Sequence, residues 1–230
     1  MGDVSGPGFI VGLPSEARLL RHAFGRQSLL VFCSGAKPHL VAAGVAELRR
    51  QGANCLVSWG LAGGLDPSLE AGDVVLGSAI ATVDGTRLAI DQTISMSLES
   101  ALGDSAVDVR QGVIAGIDRI ASTPNRKRAI AAATGAIAAD MESHALAEAA
   151  GGCPVAVLRV VVDSANRTIP GSVLEALDGN ANVQAMQLLA GLARRPGEMF
   201  GLIGLAVDHG KARRKLRRTA AVMAKLFEAG

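Results

Sequence analysis

Two segments of this chain set carboxylates against long apolar runs: Asp140-Met141-Glu142-Ser143 and Arg159-Val160-Val161-Val162-Asp163. An acid at the end of an apolar strand is costly unless it is hydrogen-bonded, paired or protonated. One such acid is readily structural. Two of them, Glu142 and Asp163, flank a helix-then-strand pattern over residues 143–150 and 154–162. That pattern returns the chain to one edge of a sheet, so both acids are expected to line a single cleft there.

The elements that must carry these groups read as strands alternating with helices. Residues 8–13 form a short apolar run entering Pro14-Ser15-Glu16, which suits a strand followed by a helix N-terminus. Residues 28–33 lead through Ser34-Gly35-Ala36 into a helix over Pro38–Arg50, and residues 55–59 lead into a glycine-rich turn over 60–64. Strands are expected at 73–80 and 112–115, a helix at 125–134, and strands at 136–140 and 155–162. This alternation predicts an α/β fold with a mostly parallel or mixed sheet wrapped by helices. After Asp163 the chain turns polar through residues 164–171, as either a lid or an ordinary connecting loop. Two helices are expected from Val173 onward, broken near Arg195-Pro196-Gly197. With neither linker nor repeat, residues 1–230 read as one domain.

Composition agrees with a globular α/β protein: 230 residues, 49% hydrophobic and 19% charged. Cys33, Cys55 and Cys153 all sit in apolar runs, with no disulfide framework and no zinc-ligand spacing. A reducing cytoplasm is the expected compartment, and no apolar run has the length of a membrane span. The net charge of +2 is unevenly spread: residues 194–230 hold nine Lys or Arg against three acids, leaving −4 on the rest.

The glycines at 60–64 are weak evidence alone. They do not form the G-x-G-x-x-G fingerprint, and the chain has no G-x-x-x-x-G-K-[ST], which disfavours dinucleotide and triphosphate cradles. Three pieces together are more specific. Residues 58–75, SWGLAGGLDPSLEAGDVV, resemble the TGSAGGL…LxxGDVV segment of the nucleoside phosphorylase/nucleosidase superfamily. DMES at 140–143 resembles its (D/E)MEs signature and RVVVDSA at 159–165 its RxxSDxA signature, in the same order and at similar spacing. Glu16 stands where the methylthioadenosine/S-adenosylhomocysteine nucleosidase branch keeps its water-activating glutamate.

This resemblance implies a central mixed sheet forming a distorted barrel within three α/β/α layers, and cleavage of the bond between ribose and a purine. It implies Asp163 as the acid that protonates purine N7, held neutral by desolvation, and Glu142 as the carboxylate that grips the ribose hydroxyls. Glu16 would activate water, although a first-turn acid complementing the helix dipole is an equal alternative. Leu61, Ala62 and Gly63 would line the substrate, Met141 would pack along the sugar, and Ile120 and Ala121 would meet the base, where relatives stack an aromatic ring. Arg159 would brace nearby carboxylates or serve as a structural ion pair. No cofactor or metal is implied, and phosphate is the one alternative co-substrate. Phosphorylases of the superfamily hold it with an arginine and a serine where this chain has Ser58 and Leu61, which favours water, unless Arg18, Arg21 or Lys37 supplies another anion site.

From Lys211 to Phe227, basic Lys211, Arg214, Lys215, Arg218 and Lys225 recur at three- and four-residue steps, with Leu216, Ala220, Met223 and Phe227 on another face. This amphipathic extension, over about residues 194–230, is either a solvated helix packed on the body or a contact with anionic membrane. Nucleic acid is disfavoured by 3% aromatic residues and no Tyr. The extension resembles that of the hopanoid-associated phosphorylase subgroup, which implies a 5′-lipid-substituted adenosine such as adenosylhopane as substrate. The alternatives are methylthioadenosine/S-adenosylhomocysteine nucleosidase, purine nucleoside phosphorylase, or a silent nucleoside sensor. A homodimer or larger homo-oligomer is implied as well.

Overall fold

The run Val-Ala-Val-Leu-Arg-Val-Val-Val-Asp shows no polar alternation because the strand it forms, Val155–Asp163, is buried on both faces. Leu158 and Val160 enter one apolar cluster, and Val157 and Val161 enter another on the opposite side. The computed structural model describes residues 6–25, 29–176, 194–195, 197 and 199–228. In chain order these form β1 (Gly6–Val11), α1 (Pro14–Phe24), β2 (Leu30–Cys33), α2 (Pro38–Arg50), β3 (Ala53–Gly64) and β4 (Val74–Thr82). There follow β5 (Arg87–Leu88), α3 (Gln92–Asp104), β6 (Val109–Gly116), α4 (Pro124–Thr134) and β7 (Ala138–Asp140). The chain continues through α5 (Ser143–Ala149), β8 (Val155–Asp163), α6 (Gly171–Ala176) and α7 (Met199–Glu228).

Five strands close on themselves. β3 pairs parallel with β8, β8 antiparallel with β4, β4 parallel with β6, β6 parallel with β7, and β7 antiparallel with β3. β1 and β2 extend the sheet in parallel from β3, and β5 adds a short antiparallel edge to β4. Closure removes free edges from the five and demands sharp bends, which bulges and glycines supply. One bulge falls between Ala62 and Gly63 and another between Gly77 and Ala79.

That requirement corrects the glycine-rich turn expected at 60–64. Leu61, Ala62 and Gly63 belong to β3, which runs on to Gly64 and pairs Gly63 with both Asp163 and Ala139. Glycine there lets one strand bend between two neighbours. A second difference is α3, whose few apolar positions leave no helical pattern in the sequence. Polar residues dominate it, and only Ser95, Leu98 and Leu102 are buried.

α1, α3 and α7 cover one side of the sheet and α2 and α5 the other. The apolar face assigned to the C-terminal extension packs on the body: Leu216, Ala220 and Met223 are fully buried with Phe9, Trp59 and Val160. Trp59 Nε1 donates to Thr219 Oγ1 at 3.1 Å, and the Phe9 and Phe227 rings meet edge to face, centroids 6.0 Å apart. The helix expected from Val173 is described only as α6. Its continuation over 177–193, and Ser28 and Pro196, lie outside the described residues.

Candidate active site

Glu16 is the third residue of α1 and folds back on the turn that starts the helix. Its carboxylate accepts from Gly12 N at 3.0 Å and Leu13 N at 2.8 Å, satisfying amides that a helix start leaves unpaired. Capping does not explain its third bond, from Leu61 N on β3 at 2.8 Å. Gly60 makes room for this approach, since a Cβ there would stand 2.6 Å from Glu16 Oε1. Burial pushes the Glu16 carboxyl up, while the Leu61 amide, Arg159 and the two turn amides pull it back. A cavity of about 240 Å³ between α1 and α7 reaches this carboxylate, lined also by Arg18, Leu61, His209 and Arg213.

The second acid group is built around Arg159, completely buried at the middle of β8. Its Nε lies 2.6 Å from Asp140 Oδ2, its Nη2 donates to Ser58 Oγ at 2.5 Å, and the same nitrogen is 3.4 Å from Glu142 Oε2. Asp140 in turn starts α5, its Oδ1 accepting from Glu142 N, Ser143 N and Ser143 Oγ at 3.1, 2.9 and 2.7 Å. A guanidinium fork thus fixes the segment that presents Glu142. Glu142 lies against Gly12, where a Cβ would stand 2.7 Å from its Oε1, so the turn that donates to Glu16 also borders Glu142. Burial drives the Glu142 carboxyl up to about 8, with Arg159 opposing and Asp140 and Glu16 adding to the rise.

Asp163 closes β8 beside Gly63, whose Cβ position is 3.6 Å from Asp163 Oδ1. Burial raises this carboxyl, as the apolar strand led one to expect. The opposing partner was not anticipated: Lys127 of α4, fully buried, forms an ion pair with Asp163. Lys127 Nζ also donates to Ser164 O at 2.6 Å and to Arg167 O at 3.4 Å. The loop after Asp163 is tied further by Ile169 N donating to Ser122 O at 2.9 Å and by an ion pair of Arg167 with Asp208 of α7.

Glu16, Leu61, Glu142 and Arg159 are thus gathered through shared neighbours, whereas Asp163 meets β3 two residues beyond Leu61, at Gly63. Ala62 is buried in the cluster beneath α2 and α5, on the other side of the sheet from Trp59. Ala121 and Met141 pack in a third apolar cluster with Ile117 and Ile130, whereas Ile120 is 40% exposed. Asp140, Ser58 and Lys127 were missed as site residues. Asp140 was legible as the Asp-x-x-Ser spacing of a helix start, but Lys127 lies within the basic run Arg126-Lys127-Arg128, which reads as solvated.

A closed mixed barrel surrounded by helices is the fold of the nucleoside phosphorylase/nucleosidase class. Residues 11–195 match the phosphorylase superfamily, and the chain belongs to that family. No curated protein matches the sequence. Among solved structures it is similar to futalosine hydrolase of Helicobacter pylori (TM-score 0.73, 15% identity, 99% of each chain covered). It is also similar to a mutant of the H. pylori 5′-methylthioadenosine nucleosidase with 5′-methylthioadenosine in its active site (TM-score 0.72, 14% identity, 100% of each chain). A third is the 5′-methylthioadenosine/S-adenosylhomocysteine nucleosidase of Neisseria meningitidis with methylthio-immucillin-A (TM-score 0.71, 20% identity, 98% of this chain and 99% of that one).

Proposed function

We propose that this protein hydrolyses the N-glycosidic bond of an adenine nucleoside. Asp163 donates the proton to the departing base, Glu142, which ionises as pH rises through about 8, holds the ribose hydroxyls with its carboxyl oxygens, and Glu16 takes the proton of the attacking water. Breaking the bond leaves positive charge on the sugar and negative charge on the purine, so an acid on one side and a carboxylate on the other match the transition state. The observation that favours water over phosphate is the 2.8 Å bond from Leu61 N to Glu16. A phosphate dianion needs free donors, yet this amide is taken by a carboxylate. The cavity that reaches Glu16 gives water a path to it.

Within this function we propose a lipid-linked 5′ substituent, adenosylhopane being the type. Met199, Ile203 and Val207, four residues apart on the first turns of α7, are each more than half exposed. The cationic residues Lys211, Arg213 and Arg214 follow directly. Among the described residues no helix is long and apolar enough to cross a membrane, so the contact would be peripheral. Met199→Ser, Ile203→Ser and Val207→Ser together should abolish sedimentation with anionic liposomes; unchanged sedimentation removes the membrane contact.

Adenine release from a panel of 5′-substituted adenosines, followed by mass spectrometry with and without phosphate, tests the function. Free ribose products and rates independent of phosphate are expected. Strict phosphate dependence with a ribose-1-phosphate product would sink the hydrolase assignment.

A further inference from the structure

We propose that Lys127 is the positioning residue of the proton-donating acid: its ammonium, lodged between Asp163 and the carbonyls of Ser164 and Arg167, keeps Asp163 ionised in the empty site and neutralises the carboxylate left after proton transfer. This rests on Asp163 being the acid that serves the leaving base.

Three features of the geometry lead to it. Lys127 is fully buried and has three oxygen acceptors, the number that an ammonium can serve. A buried ammonium needs a counter-charge, and Asp163 is the carboxylate paired with it. Lys127 also lies one turn inside α4, four residues after the cap Thr123 and directly beyond Ile120 and Ala121. It therefore connects the segment assigned to the base with the acid and with the loop that follows it.

The charges facing Asp163 are Lys127 from α4, Arg167 from its own loop and Asp208 from α7. Arg167 and Asp208 pair with each other, which leaves Lys127 as the uncompensated partner among these three. In the reaction Asp163 must first take up a proton. Its O–H bond then breaks as the purine N7–H bond forms, and the electron pair of the C1′–N9 bond leaves with the purine. Water adds at C1′ and gives its proton to Glu16, which releases it to solvent as Asp163 takes up a new one. The carboxylate formed beside Lys127 finds its counter-charge in place. Lys127 thus makes Asp163 a stronger acid, at the cost of a smaller protonated fraction at neutral pH.

The test is the pH profile of adenine release by Lys127→Met, Lys127→Arg and Asp163→Asn. Removing the ammonium lets Asp163 keep its proton to higher pH, so the falling limb of kcat/KM should move alkaline by about one pH unit or more, a tenfold change in proton affinity. The low-pH plateau of kcat should drop, with KM little changed because the buried Lys127 ammonium is taken up by Asp163 and two backbone carbonyls. Lys127→Arg should keep the limb near its original position. A Lys127→Met limb that does not move, beside an inactive Asp163→Asn, overturns this inference alone. Full activity in Asp163→Asn overturns the general-acid assignment and this inference with it. Where Lys127→Met does not fold, the infrared difference between wild type and Asp163→Asn at neutral pH decides. An ionised carboxylate is expected, and a protonated carboxyl at position 163 would refute the proposal.

Discussion

Two buried acids each face a cation, Arg159 beside Glu142 and Lys127 beside Asp163, and burial raises both carboxyls. Glu142 is driven up to about 8 from the usual 4.5 by burial, and its partner Arg159 is shared with Asp140. The unfolded chain gives up this proton near the ordinary value, whereas the folded chain holds it to about 8. Between those limits the folded state binds more protons, so stability is fully present below 4.5 and falls as pH rises through about 8. Glu142→Gln removes this slope. The gap in unfolding free energy between the two proteins should shift toward the variant with rising pH, by on the order of a few kcal/mol in total. A gap that does not depend on pH would refute the burial argument. On the catalytic side, Asp163→Asn should slow adenine release by about 10²- to 10⁴-fold while the protein stays folded. Asn cannot donate the proton but still accepts from Lys127.

Among the elements, β3 carries most of the site because its glycines let carboxylates from other segments approach the backbone. Gly60 has φ +153 and faces Glu16, and Gly12 in the β1–α1 turn faces Glu142. A methyl group at either position meets a carboxylate oxygen within 2.7 Å, so the acid must move. Gly60→Ala and Gly12→Ala should each cost about 1–3 kcal/mol in urea denaturation, with a larger relative loss of activity than of stability. The glycines were visible in the sequence, but their job was not. A run such as Gly60-Leu61-Ala62-Gly63-Gly64 signals a turn locally, and only pairing to both β7 and β8 makes it a bent strand. The helix α3 was hidden for a different reason. Its apolar positions are few, yet Asp91 capping Ile94 N at 2.9 Å, followed by Leu98 and Leu102, was a usable start signal.

At the scale of the whole molecule, α7 is a structural member of the fold as well as a basic surface. Removing it would uncover Phe9, Trp59 and Val160, so a chain ending at Arg195 should fail to give a cooperative melt by circular dichroism. Thr219→Val leaves the buried Trp59 N–H without its partner and should cost about 1–3 kcal/mol, read by thermal denaturation. An unchanged melting temperature would show that another group satisfies the indole. Apolar runs, helix starts and the two acid-bearing motifs were fixed by local order along the chain, because burial on both faces and capping leave their mark within a few residues. Barrel closure, the Lys127 ion pair with Asp163 and the docking of α7 on Trp59 were decided only by the tertiary structure. Each joins residues far apart in sequence, 36 positions for the ion pair and 160 for the indole bond, and no local pattern encodes which distant group a buried charge or N–H will meet.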